Sequence, residues 1–281
     1  MAGRRPIHLR RLLYEKVLEL RELGLSYREI RREVFEECGE HLSKSIISDW
    51  VNQVHTPYGD GLGRTGEDRR AHKLKPCPEL AYVIGAAIGD GYVNFVADDY
   101  KYLVILSVTD YDFVAEFGRC AEIAVGRTKP YRPFWDRCRQ RWVVRVYSKE
   151  LYNLLKKPID LKKIKPYVEY SKECMAAFLR GLADAEGSAD RDEANLGHIE
   201  ISNTCLELIK YAQRLLRRLG ICSRIYERRE EKSFIIEGRR CRRRKGATWR
   251  LVIYRRNEIL KFRELIGFAI KRKQKILEMI K

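Results

Sequence analysis

Residues 1–54 show the apolar spacing of three short helices. Apolar positions between Leu12 and Leu23 recur every three or four residues and stop at Gly24, which is typical of an amphipathic helix with a glycine stop. Ser26 and Glu29 have the spacing of a capping box, so a second helix is predicted to begin there.

A third helix is predicted from Ser43 to Val54. One side of it carries an apolar set and the other a polar set that includes Lys44, Ser45, Ser48 and Asn52. Two short helices with a turn between them and a polar outer face form a helix-turn-helix layout, and this stretch resembles the helix-turn-helix of resolvases and transposases. Residues 1–54 are therefore predicted to be a helix-turn-helix DNA-binding domain, in which those four side chains contact DNA. The alternative is a helical bundle that only packs on the rest of the chain.

The pattern changes between residues 55 and 77, where apolar periodicity disappears and four Gly and two Pro occur. Such a composition is typical of a linker or an extended arm. From residue 78 onward the chain repeats itself, with a first repeat at 78–170 and a second at 171–281. Each repeat reads α-β-β-α-β-β-α, and self-similarity of this length predicts two copies of one structural unit.

Each repeat opens with an apolar helical segment that ends in a carboxylate followed by Gly, at Asp90 in the first and Glu186 in the second. Small residues at i and i+4 lie on one face of each helix, which lets two helix backbones approach closely. Such a seam predicts that Asp90 and Glu186 converge at its end. The alternative is a small-residue seam with two ordinary solvated carboxylates.

Charge and composition limit the kinds of partner, compartment and metal that this chain can have. The net charge is +18, from 57 Lys and Arg against 39 Asp and Glu, which favours a nucleic acid partner over a membrane surface. No apolar run is long enough to span a bilayer, and no signal peptide is recognised, so the sequence predicts a cytoplasmic protein. The eight cysteines form no CxxC pair, which argues against zinc.

Two converging carboxylates repel each other unless a cation lies between them, and an oxygen-only ligand set suits Mg²⁺. The metal site is predicted at Asp90 and Glu186, with the preceding Gly89 and Ala185. Beside a phosphodiester, Mg²⁺ can activate a water and stabilise the leaving oxygen. Mn²⁺ is expected to substitute for it.

The segments Val83–Gly91 and Leu179–Gly187, together with the phrases AFLRGLADAEGS and FRELIGFAIKRKQKIL, resemble the LAGLIDADG homing endonucleases in their single-chain, two-motif form. The resemblance covers about residues 78–281. It implies an α+β saddle of two pseudo-symmetric repeats, in which each four-stranded sheet forms a wing over DNA. It also implies that Asp90 and Glu186 are the catalytic, metal-binding carboxylates, whereas Asp184 is structural.

The family also uses basic and polar groups around the scissile phosphates. Lys163, Lys271 and Lys273 are assigned to catalysis on this ground, and Lys165, Ser107, Ser202 and Asn203 are alternatives. Base readout is expected from outward strand residues. The DNA contacts assigned to the two repeats are arginines of the predicted third and fourth strands and of a hairpin tip, namely Arg132, Arg137, Arg139, Arg141, Arg145, Arg224, Arg228, Arg242, Arg243 and Arg250.

The leading hypothesis is therefore a Mg²⁺-dependent, site-specific double-strand DNA endonuclease, encoded by an intron or a mobile element and acting as a monomeric pseudo-dimer. Two alternatives stay open. One is a DNA-binding transcriptional regulator that has lost cutting, and the other is an RNA maturase for intron splicing. Intact acidic positions in both motifs favour the enzyme.

Overall fold

The computed structural model describes residues 6–52, 54, 57, 74–96, 101–127, 129–191, 197–228, 233–236, 239–242 and 248–280. It divides into two compact units, Met1–His72 and Lys73–Lys281. Of the predicted linker at 55–77, only 57 and 74–77 fall within the described residues.

The first unit consists of three helices, α1 (Ile7–Glu22), α2 (Tyr27–Cys38) and α3 (Lys44–Val51). The predicted capping box is present at the start of α2. The Ser26 hydroxyl accepts a hydrogen bond from the Glu29 amide at 3.4 Å, and the Glu29 carboxylate accepts one from the Ser26 amide at 2.7 Å.

A small apolar core holds these three helices together. Leu13, Val17 and Ile30 lie within it, and Trp50 of α3 meets Tyr14 edge-on with ring centroids 5.7 Å apart. The predicted end of the third helix at Val54 is wrong, because α3 ends at Val51 and the Val54 side chain is 44% exposed. The helical character of the N-terminal region is confirmed.

The second unit contains two antiparallel four-stranded sheets. The first is formed by β1 (Gly91–Val96), β2 (Lys101–Val108), β3 (Phe134–Asp136) and β4 (Arg141–Tyr147), in the order β1-β2-β4-β3. Its helices are α4 (Pro78–Gly89), α5 (Tyr111–Ala124), α6 (Lys149–Leu155) and α7 (Leu161–Val168).

The second sheet is formed by β5 (Gly187–Arg191), β6 (Gly197–Asn203), β7 (Arg224–Arg228) and β10 (Thr248–Ile253), in the order β5-β6-β10-β7. Its helices are α8 (Lys172–Glu186), α9 (Leu206–Arg218), α10 (Arg256–Leu265) and α11 (Lys271–Met279). Strands β8 (Ser233–Ile236) and β9 (Arg239–Arg242) pair only with each other among the described strands.

Strand register shows that the two sheets correspond residue by residue. Trp142 lies opposite Val108 in the first sheet, and Trp249 lies opposite Asn203 in the second. Gly91 and Gly187 likewise begin equivalent edge strands. The predicted α+β class with two pseudo-symmetric repeats is confirmed. Each repeat also has one helix beyond the predicted α-β-β-α-β-β-α, namely α7 and α11.

Helices α4 and α8 pack against each other through glycines. A Cβ added to Gly85 would fall on the carbonyl oxygen of Phe178 and lie 2.9 Å from the amide nitrogen of Leu182. At Gly181, an added Cβ would fall on the carbonyl oxygen of Tyr82 and lie 2.8 Å from another backbone nitrogen, that of Ala86. The two helix backbones therefore touch reciprocally, as the small-residue spacing predicts.

Candidate functional site

The glycine seam brings the C-terminal ends of α4 and α8 together. Asp90 follows the last residue of α4, and Glu186 is the last residue of α8. Between them, Gly89 lies so close to Ala185 that an added Cβ would overlap its side chain, and that Cβ would lie 3.5 Å from Glu186 Oε1. The four residues assigned to the metal site thus lie at one place in the fold. Their role as ligands remains a prediction.

The protein environment disfavours charge on both carboxyl groups. Desolvation raises the pKa of Asp90, although the cations of Lys273 and Arg141 partly offset the effect. Desolvation also raises the pKa of Glu186, and the negative charge of Asp90 raises it further. A cation bound between these groups would relieve both effects.

Asp184, the earlier acidic residue of the second motif, is buried and fully engaged in hydrogen bonds. Tyr82 of α4 donates its hydroxyl to Oδ2 at 2.8 Å, and the backbone amides of Ala269 and Ile270 donate to Oδ1 at 3.0 and 3.3 Å. The residue is 1% exposed. Asp184 therefore ties the two motif helices and the start of α11 together, which suits a structural role.

Lys273 lies near the two carboxylates, since its charge lowers the pKa of both Asp90 and Glu186. Its ammonium donates to the carbonyl oxygens of Ala183 and Asp184, at 3.3 and 2.5 Å, near the end of α8. The Ala183 carbonyl also accepts the amide of Gly187, whereas the Asp184 carbonyl belongs to the last turn, whose carbonyls lack partners within the helix, so the lysine stabilises the helix end. Burial lowers the pKa of Lys273, while the charge of Asp184 opposes that shift.

We predict a pH dependence of folding stability from Asp184. Burial raises the pKa of its carboxyl group from 3.8 to about 6, so between these values the folded chain binds more protons than the unfolded chain. The free energy of unfolding should therefore fall as pH rises from about 4 to about 6, by about 3 kcal/mol from this group alone. Urea unfolding of parent and Asp184→Asn in EDTA, compared across this window, isolates the contribution. Equal slopes for the two proteins would contradict it.

Three side chains near the carboxylates are hard to assign from the sequence. Asn203, weighed only as an alternative, donates its amide to Glu186 Oε1 at 2.8 Å. The cation of Lys157 lowers the pKa of Glu186. Arg141, predicted as a DNA contact, acts in the same way on Asp90. The signal that could have found Asn203 is its position at the end of β6, beside the motif's own strand.

The three lysines assigned to catalysis separate in the structure. Lys273 lies at the carboxylates, whereas Lys163 is exposed on α7 and no described contact joins it to them. The side chain of Lys271 is 85% exposed and pairs with Asp112 at 3.6 Å. Its neighbour Arg272 binds Asp110 through two hydrogen bonds of 2.7 and 2.8 Å. Residues from both repeats therefore meet at the start of α11.

The arginines assigned to DNA contact lie on or beside the sheets. Arg141 and Arg145 are in β4, whereas Arg132, Arg137 and Arg139 lie outside the regular strands at either end of β3; all five are exposed. Arg224, Arg228 and Arg250 lie in β7 and β10. The prediction of a hairpin tip is wrong for Arg242, which ends strand β9, because residues 239–242 pair with 233–236. Arg243 lies outside the described residues.

The four residues predicted to contact DNA in the first unit lie on α3 or, for Asn52, directly after it. Lys44, Ser45 and Asn52 are exposed, and Ser48 accepts a hydrogen bond from the Asn52 amide at 3.2 Å. A hollow of about 580 Å³ adjoins this helix. Its wall includes four cations from all three helices, namely Arg21, Arg28, Arg31 and Lys44. The sequence prediction missed the three arginines because they belong to the first two helices.

Among the described residues, no group of three or more His, Cys, Asp or Glu side chains is placed to hold a metal ion. The candidate donor set therefore consists of two carboxylates and nearby backbone. This set fits Mg²⁺, which keeps several of its waters and binds through one or two carboxylates together with substrate phosphates. No helix in the described part of the chain has the length and apolar character needed to cross a bilayer.

Comparison with known proteins finds a family match within the second repeat. Residues 173–267 match the family model described as a LAGLIDADG-like domain, which confirms the resemblance predicted from the sequence. The chain is also similar to the uncharacterized protein MJ0398 of Methanocaldococcus jannaschii, with 27% identity over 98% of this chain and 97% of that protein.

Two solved structures resemble the fold. The homing endonuclease I-DmoI, solved in complex with DNA and Ca, is 20% identical with a TM-score of 0.49, covering 72% of this chain and 97% of its own. The N-terminal LAGLIDADG domain of DUF199/WhiA is 16% identical with a TM-score of 0.45, covering 68% of this chain and 81% of its own.

Proposed function

We propose, from the LAGLIDADG-like match and the site geometry, that this chain is a Mg²⁺-dependent endonuclease that cuts both strands of a specific DNA duplex. The observation that carries the proposal is the convergence of Asp90 and Glu186 at the end of the glycine seam, where desolvation raises the pKa of both. Two ordinary surface carboxylates would not share the end of a helix–helix contact.

Asp90 and Glu186 would hold the metal, together with backbone of Gly89 and Ala185. When bound, Mg²⁺ would supply an activated water and neutralise charge on the leaving oxygen. The chain's own side chains support this arrangement. Asn203 holds one oxygen of Glu186 through its amide, and the Lys273 ammonium lies close enough to lower the pKa of both carboxyl groups.

Basic side chains supply the affinity for the duplex. Exposed arginines lie along or beside both sheets, and the first unit adds the cationic hollow beside α3. Each phosphate contact of this kind adds to binding in a salt-dependent manner. The helix-turn-helix unit would lengthen the footprint, and one chain would act as a pseudo-dimer. Such an enzyme would suit an intron or a mobile element.

The test is a cleavage assay on a plasmid in which the two genomic sequences that flank this chain's coding region are joined. The purified chain should linearise this plasmid in Mg²⁺ or Mn²⁺, leave it intact in EDTA, and leave a plasmid with a scrambled junction intact. Tight binding of the joined duplex without cleavage under any divalent metal would overturn the nuclease and favour a DNA-binding regulator. Preferential binding of structured RNA would favour a maturase.

A further inference from the structure

The two sheets differ at their centres, on the face turned away from the helices. Strand register makes Leu103 equivalent to His198 and Ile105 equivalent to Glu200, because each pair occupies the same place relative to the aligned strands. Val143 lies opposite Ser107 in the first sheet, and Arg250 lies opposite Ser202 in the second. Val143 and Arg250 are therefore equivalent as well. Three positions on the outward face are thus apolar in the first repeat and ionisable in the second.

In the first sheet these positions form an apolar cluster. Leu103, Ile105 and Val143 are at most 6% exposed and pack on one another, apart from the main core. Around them on the same face stand the exposed rings of Tyr92, Phe134 and Tyr147. The exposed rings offer apolar surface, and the same face carries the cations of Arg141 and Arg145, with Asp136 directly opposite Arg141.

In the second sheet the equivalent positions form a polar network. Glu200 accepts hydrogen bonds from the Ser202 hydroxyl at 2.5 Å and from the guanidinium of Arg250. Burial alone would raise the pKa of Glu200, but these two donors outweigh it and hold the pKa below its ordinary value. Glu200 is therefore an ionised acceptor that fixes the position of Arg250.

Donors and acceptors are exposed next to this fixed arginine. His198 Nε2 lies 3.8 Å from the Asp190 carboxylate and 4.0 Å from that of Glu200. The side chains of His198, Asp190 and Arg250 are 37, 60 and 33% exposed and line one hollow of about 590 Å³ with Tyr226 and Tyr254. An arginine donor beside a carboxylate acceptor matches the major-groove edge of a G·C pair, where guanine offers acceptors and cytosine a donor.

We infer that the two sheets read the two halves of the duplex by different chemistry, and this inference rests on the proposed function. The second sheet selects a G·C pair through Arg250, positioned by Glu200, and through Asp190. At the equivalent positions the first sheet has Leu103, Ile105 and Val143, which carry no side-chain hydrogen-bonding group. Its own cross-strand pair of Arg141 and Asp136 lies elsewhere on that face. The preferred site is therefore asymmetric at this position, with a G·C pair selected in the half bound by the second sheet and not in the other half.

The experiment is a selection by the full chain, in Ca²⁺, from duplexes randomised over about 20 base pairs, two helical turns. The parent should enrich an asymmetric site. His198→Leu/Glu200→Ile/Arg250→Val, which imports the first-repeat residues, should lose the G·C preference in one half only, by about tenfold to a hundredfold. Arg250→Lys is the milder variant. It keeps the charge and loses the planar fork, so it should relax the same position. Binding to non-specific duplex should stay close to that of the parent, because that part depends on charge.

Each outcome separates the two proposals. A symmetric enriched site overturns this inference. So does an enriched site that stays the same in Arg250→Lys and in the triple variant, provided that both variants have the circular dichroism spectrum of the parent. In that case cleavage of the enriched duplex in Mg²⁺ still supports the nuclease. No enrichment by the parent overturns site-specific recognition itself, and with it both proposals.

Discussion

Asp90→Asn and Glu186→Gln, introduced one at a time, should each reduce linearisation of the target plasmid by about a thousandfold. Each substitution keeps the shape of the side chain and removes one negative charge from the end of the seam. Among the described residues no third His, Cys, Asp or Glu side chain joins these two, so little else would hold a cation there. Losing one carboxylate removes half of the acidic ligand set.

The plasmid assay also distinguishes cutting of one strand from cutting of both. If each carboxylate serves one strand, a single variant should convert supercoiled plasmid into nicked circles without linear product. Duplex binding in Ca²⁺, measured by fluorescence anisotropy, should stay within a fewfold of the parent, since the basic faces are untouched. A double variant should neither nick nor linearise the plasmid.

Glu207→Gln is the matched control. Glu207 is an exposed carboxylate in the first turn of α9, away from the seam. The Glu207→Gln variant should cut like the parent, which would show that loss of one acidic charge is not enough to impair cleavage. Parental cleavage by both Asp90→Asn and Glu186→Gln would remove the metal assignment altogether.

Gly85→Ala and Gly181→Ala should each lower the free energy of unfolding of the second unit by about 3 kcal/mol. In an ordinary exposed helix, replacing Gly by Ala would stabilise by about 1 kcal/mol. Here the new methyl group would fall on a backbone carbonyl oxygen of the facing helix, that of Phe178 or Tyr82. A backbone cannot rotate away as a side chain can, so the two helices must separate and the clash outweighs the helix propensity.

Urea unfolding followed by tryptophan fluorescence measures this loss. The same variants should cut less, because separating the helices also separates Asp90 from Glu186. Ala176→Gly, five residues before Gly181 in α8, is the control and should cost about 1 kcal/mol from helix propensity. An unfolding midpoint at or above the parent's for either glycine variant would show that the seam is looser than this packing implies.

The sequence was sufficient for the overall plan. The spacing of small residues predicted the seam through Gly85 and Gly181, and the repeated strands predicted the two equivalent sheets, because both depend on periodicities of 3.6 and 2 that are visible in the chain itself. The carboxylate that ends each motif could be located for the same reason. The extra helices α7 and α11 were missed because eight or nine residues show too little of a 3.6-residue period to stand out.

Supporting residues were predicted less well. Lys163, Lys271 and Lys273 look alike in sequence, yet only Lys273 is buried near the carboxylates. The position of Lys273 depends on how α11 packs against α8. It also depends on the hydrogen bonds that Asp184 accepts from the backbone amides of Ala269 and Ile270. Contacts between residues some 90 positions apart leave no periodic trace in one sequence.

The sequence by itself therefore determined the local elements, the two-fold repetition and the pair of acidic motif ends, since these follow from short-range side-chain patterns. Only the tertiary structure decided what surrounds Asp90 and Glu186, that Asn203 reaches Glu186, and that equivalent outward positions hold Leu103 in one sheet and His198 in the other. Those facts depend on strand register and on long-range docking, where small shifts in backbone position decide which side chains meet.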